Sequence, residues 1–326
     1  MSTARRPTVI VVGSAGHTAQ RCMAALRDRY RVVGLDVPGT QQWHDADVQV
    51  GIDLADEHGA ARAAAAIRAL GPAPVIAILI LATDDDPGRQ PSPMLGALRG
   101  APLRALLVAL SGLRPEQWIL LSSMHVPAPA RVGVPINEAS ALQVQGAPAA
   151  SLVSFENLLV EWRGGAPVCV LRSASLYDDG GHSALLAAAC ARDLCSNSTQ
   201  LFDYRDSREG QPLLHIADLI DAIDRAIVRR NCLPAVSVLL LAEPELLSFK
   251  GLRLSGLDGD DRHLLGHGRG EVCHYEVDAM RARLLLGWDP VHRVADALPT
   301  NRTPGLLFAT PSGDVPAEPV KSVAPT

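Results

Sequence analysis

The segment Pro7-Thr-Val-Ile-Val-Val-Gly13-Ser-Ala15-Gly16-His17-Thr-Ala19 constrains this chain more than any other. An unbroken apolar run ends in a glycine turn, and the turn opens a helix. A run of that kind reads as a strand buried on both faces, as in a parallel sheet. Gly13 allows a tight turn, and the missing side chain at Gly16 lets a phosphate group approach main-chain N–H groups at the positive end of the helix. The third small position is Ala19 rather than glycine. A second apolar run, Tyr30-Arg-Val-Val-Gly-Leu-Asp36, ends in an acid 23 residues after Gly13. That is close to the spacing at which a carboxylate holds a ribose hydroxyl pair. Together these features predict a dinucleotide-binding βαβ unit, with an ordinary βαβ unit and a surface aspartate as the bland alternative.

The rest of the chain repeats the alternation. Short apolar runs predict strands at 8–12, 31–36, 75–82, 117–122, 167–172 and 236–241. Helical patterns fall at 16–28, 56–70, 93–111, 149–163, 182–194 and 216–229. The fold class expected is therefore α/β, a doubly wound parallel sheet of the Rossmann type with a smaller C-terminal substrate lobe. A dinucleotide-binding core is assigned to residues 7–172. The smaller lobe is assigned to 173–298, with a returning core segment near 212–241. Residues 299–326, rich in Pro, Thr, Ser and Gly without an apolar period, read as a disordered tail.

Composition excludes some functions. The chain of 326 residues is 48% hydrophobic and 20% charged, with a net charge of −5, so it gives no electrostatic case for a nucleic-acid partner. No apolar stretch is long enough to span a bilayer, and no signal segment precedes the first strand, so a cytoplasmic location is expected. The six cysteines form no Cys-x-x-Cys pair, and His263, His267 and His274 are irregularly spaced. Free thiols and no metal are expected.

In its order of motifs the chain resembles the extended short-chain dehydrogenase/reductases, in the branch of NAD-dependent sugar epimerases and dehydratases. Gly13, Gly16 and Ala19 match that family's glycine turn, and Asp36 matches its acid after the second strand. Asp53-Leu54 match its adenine-binding pair, and Leu81-Ala82-Thr83 lie where its fourth strand lines the nicotinamide side. Ser123 matches its catalytic hydroxyl. Val170-Leu-Arg172 with Leu176-Tyr177, Leu214-His215-Ile-Ala-Asp218 and Leu285-Leu-Gly287-Trp288-Asp-Pro290 match later segments. The resemblance implies NAD, with NADP less suited to Asp36, held by Gly13, Ala15, Gly16, His17, Asp36, Asp53, Leu54, Ala82 and Thr83. It also implies a small polar substrate such as a nucleotide sugar, and a homodimer formed through the helices at 93–111 and 149–163.

The family's Tyr-x-x-x-Lys pair is missing. Anchored on Glu156, its positions hold Pro148 and Leu152. No tyrosine occurs between Tyr30 and Tyr177 and no lysine precedes Lys250, so no shift of register restores the pair. Substitute groups for proton transfer are Ser123, His125 and Tyr177, with the acid run Asp84-Asp85-Asp86 as a further source. Two readings follow. One is an epimerase/dehydratase-like enzyme with a substitute acid/base. The other is a catalytically inactive dinucleotide-binding sensor or assembly subunit.

Overall fold

The computed structural model describes residues 6–38, 45–81, 100–124, 126–127, 134–142, 147–178, 210–244, 246–248 and 276–293, with Met94 and Leu98. Its centre is a sheet of seven parallel strands. In chain order these are β1 (Thr8–Val12), β2 (Arg31–Asp36), β3 (Val48–Gly51), β4 (Val75–Leu81), β5 (Trp118–Ser123), β6 (Val168–Ser173) and, last to arrive, β9 (Val236–Leu241). Their spatial order is β3-β2-β1-β4-β5-β6-β9. The order reverses at β1, and such a reversal opens a crevice at the carboxyl ends of the strands. β3 is a strand the apolar pattern does not reveal, because its sequence Val-Gln-Val-Gly alternates at the sheet edge instead of running apolar.

Burial explains the assignment of strands. Val9 to Val12 are fully buried, as are Ile78, Leu79 and Ile80 of β4. Both faces of the sheet are covered. On one side lie α1 (His17–Leu26), α5 (Ile216–Val228) and α6 (Met280–Leu286). On the other lie α2 (Gly59–Ala69), α3 (Gly100–Ser111) and α4 (Ala147–Trp162). α5 shows how the period directs this packing: Leu219, Ala222, Ile223, Ala226 and Ile227 recur at helical spacing and all face the core. α6 stops at Gly287, whose φ of 63° is the left-handed conformation that ends many helices. Immediately after it, Trp288 is fully buried and its Nε1 donates to the Asp218 carbonyl at 2.9 Å.

Two strands between β6 and β9, with a third that follows β9, build a second, three-stranded sheet in the order β10-β8-β7. It contains β7 (Ser175–Tyr177), β8 (Gly210–His215) and β10 (Leu246–Ser248). β7 and β8 are parallel and β10 is antiparallel to β8. The helix expected at 182–194 and the tail at 299–326 lie outside the described residues. No helix among the described residues is long and apolar enough to cross a membrane.

Candidate functional site

The glycine turn is built as its sequence requires. Gly13 has a φ of 81°, a conformation costly for any side chain with a Cβ. Its N–H donates to the Leu35 carbonyl at 3.0 Å, which pins the end of β1 to the end of β2. Gly16 is different. It is extended, with φ −66° and ψ 151°, and stands as the N-cap of α1 without a side-chain acceptor. A Cβ added there would meet only the Gly13 carbonyl, at an ordinary 3.6 Å. Gly13 is thus demanded by the backbone, whereas Gly16 leaves open the approach to the first turn of α1.

Asp36 sits directly under this turn and is 2% exposed. Its Oδ2 accepts from the Ala15 N–H at 2.7 Å and its Oδ1 from the Val37 N–H at 2.8 Å. The carboxylate therefore shapes the turn as well as marking the end of β2. Gly34, two residues earlier on β2, is part of the same fit. A Cβ there would come within 3.0 Å of the Ser14 hydroxyl. Nothing local in the sequence distinguishes Gly34, because the need arises from a neighbouring strand.

Asp53 follows β3, whose Gly51 is the register partner of Asp36. The backbone between them is tied by Ile52 N–H donating to the Asp36 carbonyl at 2.8 Å. Asp53 is exposed, Leu54 is half-buried, and Asp53 Oδ1 accepts from the Ala55 N–H at 2.9 Å. Gly59 holds this loop in place. A Cβ on it would lie 1.8 Å from the Asp53 carbonyl oxygen, so no side chain fits at the first residue of α2. The exits of β1, β2 and β3 thereby bring Gly13, Ala15, Gly16, Asp36, Asp53 and Leu54 to one edge of the sheet. Ala82 and Thr83 lie outside the described residues, as do Asp84 to Asp86 and His125.

At the other end of the crevice, Ser123 closes β5, paired with Ser173 of β6, and is 3% exposed. Its neighbour Ser122 faces α4, where its hydroxyl donates to Glu156 Oε1 at 2.7 Å. Arg172 grips the same carboxylate with both Nε and Nη2, at 3.1 and 2.7 Å. α4 begins at Ala147 with Pro148 in its first turn, where proline suits a helix start. Leu152 is half-buried, while Phe155 and Leu159 reach the core. The helix is docked by apolar packing and by the Glu156 pair.

Tyr177, a candidate for proton transfer in the sequence, has a carboxylate partner. It is 1% exposed and its hydroxyl donates to Glu243, itself 2% exposed, in a short hydrogen bond. Burial first, and then the bond to the Glu243 carboxylate, push the phenol far above its ordinary value. A hydroxyl so engaged ties β7 to the Glu243 loop. The Tyr177 ring also meets His215 edge-on at 5.0 Å, and His215 stacks on His292 at 4.1 Å. His215 Nδ1 accepts from the Ala217 N–H at 3.3 Å, capping α5. Asp218, expected at a helix start, is in the first turn of α5, but its carboxylate also accepts from the Val291 and His292 N–H groups at 3.2 and 3.0 Å. These residues anchor the C-terminal segment to the second sheet.

One pair spans the crevice. His17, the first residue of α1, has Nε2 3.8 Å from Asp178 Oδ2 at the exit of β7. The sequence offered no signal for it, because the partners are 161 positions apart. Elsewhere, burial pushes the Cys22 and Cys169 thiols up to about 12. Among the described residues no group of three or more His, Cys, Asp or Glu is placed to hold a metal ion.

No protein-family model matches the sequence, and no curated protein matches it either. Solved structures are similar over most of its length. Pal from Bacillus thuringiensis shares 16% identity at a TM-score of 0.64, covering 89% of this chain and 96% of that one. UDP-glucuronic acid 4-epimerase from Bacillus cereus, in complex with UDP-glucuronic acid and NAD, shares 14% at 0.62, covering 89% and 96%. UDP-glucose 4-epimerase from Bifidobacterium longum, in complex with NAD+ and UDP, shares 18% at 0.60, covering 89% and 95%. The chain has the extended short-chain dehydrogenase/reductase fold, in the form these solved structures share.

Proposed function

We propose that this protein binds NAD(H) and acts on a nucleotide sugar or a related small polar metabolite, as an epimerase/dehydratase-like enzyme with a substitute for the Tyr-Lys pair. The observation that carries the reading is the glycine turn with the Asp36 carboxylate bonded beneath it, on a fold shared with enzymes solved in complex with NAD and UDP-sugars. Gly13, Ala15, Gly16 and His17 would face the pyrophosphate, Asp36 the adenosine ribose, and Asp53 and Leu54 the adenine. Ala82 and Thr83 would line the nicotinamide side. The bound dinucleotide would supply a hydride acceptor and donor. Asp36 would also disfavour a 2′-phosphate by charge, which supports NAD(H) over NADP(H).

Ser123 would donate to a substrate oxygen. With no lysine to assist it, a serine lacks a base, so proton movement would fall to His125 or an acid of the 84–86 run. The Glu243 bond of Tyr177 supports a positioning role for that residue. A second reading, an inactive dinucleotide sensor or assembly subunit, is favoured by one observation. α4 carries Pro148 and Leu152 where the family's pair would stand. Titration of the purified protein with NADH, NADPH and UDP-glucose, followed by an NMR assay for hydride-dependent conversion of the sugar, separates the two. Dinucleotide binding with sugar turnover supports the enzyme, binding without turnover of any nucleotide sugar supports the sensor, and no dinucleotide binding overturns both.

A further inference from the structure

At the amino ends of the central strands, on the edge opposite the crevice, lies a cavity of about 360 Å³. Arg6, Arg31, Asp47, Val48, Leu70 and Ala73 line it. Their places in the chain explain its position. Arg6 precedes β1, Arg31 and Val48 open β2 and β3, and Leu70 and Ala73 lie between α2 and β4. The five residues of β1, at about 3.3 Å each, separate this cavity from the glycine turn. Its volume is within the range of small-molecule clefts.

The charges of the lining do not cancel, because two guanidinium groups face one carboxylate. Arg6 Nη2 pairs with Asp47 Oδ1 at 2.8 Å, and Asp47 Oδ2 accepts from the Val32 N–H at 2.8 Å. That carboxylate is thereby taken up by Arg6 and by β2. Arg31 is half-buried, and its Nη1 donates to the Leu70 carbonyl, a neutral group, at 2.9 Å. Its Nε and Nη2 form the side-on fork whose spacing matches the two oxygens of a carboxylate. Among the described residues no acid pairs with that fork. The adjoining sequence supplies none either, since residues 1–5, 39–44 and 71–74 contain neither Asp nor Glu. Beside the fork, Val48, Leu70 and Ala73 offer apolar surface.

We propose that this cavity binds a small organic carboxylate with an apolar body. The carboxylate takes the Arg31 fork, and the body lies against Val48, Leu70 and Ala73. Asp47 repels the same charge that Arg31 attracts, so the two residues act on affinity with opposite sign.

The test is a ligand-observed NMR titration of the full chain with phenylacetate. Phenylacetamide, of similar shape without the charge, and acetate, without the apolar body, should each bind at least tenfold more weakly. Arg31→Gln should weaken phenylacetate at least tenfold. Asp47→Asn, whose amide oxygen can still accept from the Val32 N–H, should tighten it about threefold. Excess NADH should leave phenylacetate affinity unchanged, because the crevice is at the other edge of the sheet. Should Arg31→Gln not fold, the direction of the Asp47→Asn change decides alone. The proposal is overturned if phenylacetate does not bind, if the amide binds as well, if Arg31→Gln keeps parental affinity, if Asp47→Asn does not tighten binding, or if NADH displaces the probe. None of these results depends on the dinucleotide reading, which stands or falls on NADH binding itself.

Discussion

Arg172 holds Glu156 in a two-pronged pair in the protein interior, between the end of β6 and the middle of α4. The two residues are 4% and 7% exposed, so water cannot replace either partner. Arg172→Ala should therefore destabilise the protein by about 3–5 kcal/mol, because it strands a buried carboxylate. The triple change Arg172→Met, Glu156→Met and Ser122→Ala removes the whole polar network and should cost far less. Urea unfolding of the two variants checks this. An equal loss in both would show that packing rather than unpaired charge dominates here.

The two glycines of the turn should separate under mutation. Gly13→Ala forces a Cβ onto a residue at φ 81° and should cost about 1–2 kcal/mol of stability. Gly13→Val is consequently an ambiguous probe of binding, since strain and ligand exclusion would coincide. Gly16→Val is the cleaner one. The extended backbone there accepts a side chain, so the melting temperature should stay near that of the parent while NADH affinity falls at least tenfold, about 1.4 kcal/mol. Unchanged affinity with intact folding would remove the dinucleotide site from this turn.

Asp36 predicts cofactor choice. NADH should bind more tightly than NADPH, and Asp36→Asn should narrow the gap by removing the charge that repels a 2′-phosphate. The same change alters the acceptors of the Ala15 and Val37 N–H groups, so some loss of stability should accompany it. Calorimetry with both dinucleotides decides, and a parental preference for NADPH would contradict the assignment.

Alkaline pH should destabilise the fold through buried acids. Cys22 and Cys169 are held near 12 against an ordinary 9.0, and Tyr177 is raised above its ordinary 10.0. Raised values mean that the native state keeps protons the unfolded chain releases. The stabilisation is complete below about pH 9 and is lost progressively as pH rises toward 12. Urea midpoints at pH 8, 9.5 and 10.5 should fall in that order, and Cys22→Ala with Cys169→Ala should flatten the decline. In the folded protein at pH 8, Cys232, which is exposed, should react with a thiol reagent long before the two buried cysteines.

Sequence reasoning reached the fold because the relevant information is local. Consecutive buried residues in β1 and β4, the helical recurrence of apolar positions in α5 and the glycine turn after β1 each express themselves within a dozen residues. The absence of the Tyr-Lys pair is equally legible, since it depends on which residues exist in the chain and not on where they lie. β3 escaped because an edge strand covered on one side alternates too briefly to stand out.

The identity of partners was decided by the tertiary structure alone. Asp36 could be marked as a ribose acid from its spacing, but its bond to Ala15 depends on β2 lying beside β1. The bond between the Tyr177 hydroxyl and Glu243 joins residues 66 positions apart. His17 and Asp178 approach each other because the chain leaves the main sheet after β6 and the exit of β7 comes to the start of α1. A side chain's chemistry is set by its neighbours, and hydrogen bonds and ion pairs act over a few ångströms in space without regard to separation along the chain. The sequence determined which elements form and which catalytic pair is missing; the packing of those elements determined what each polar group can do.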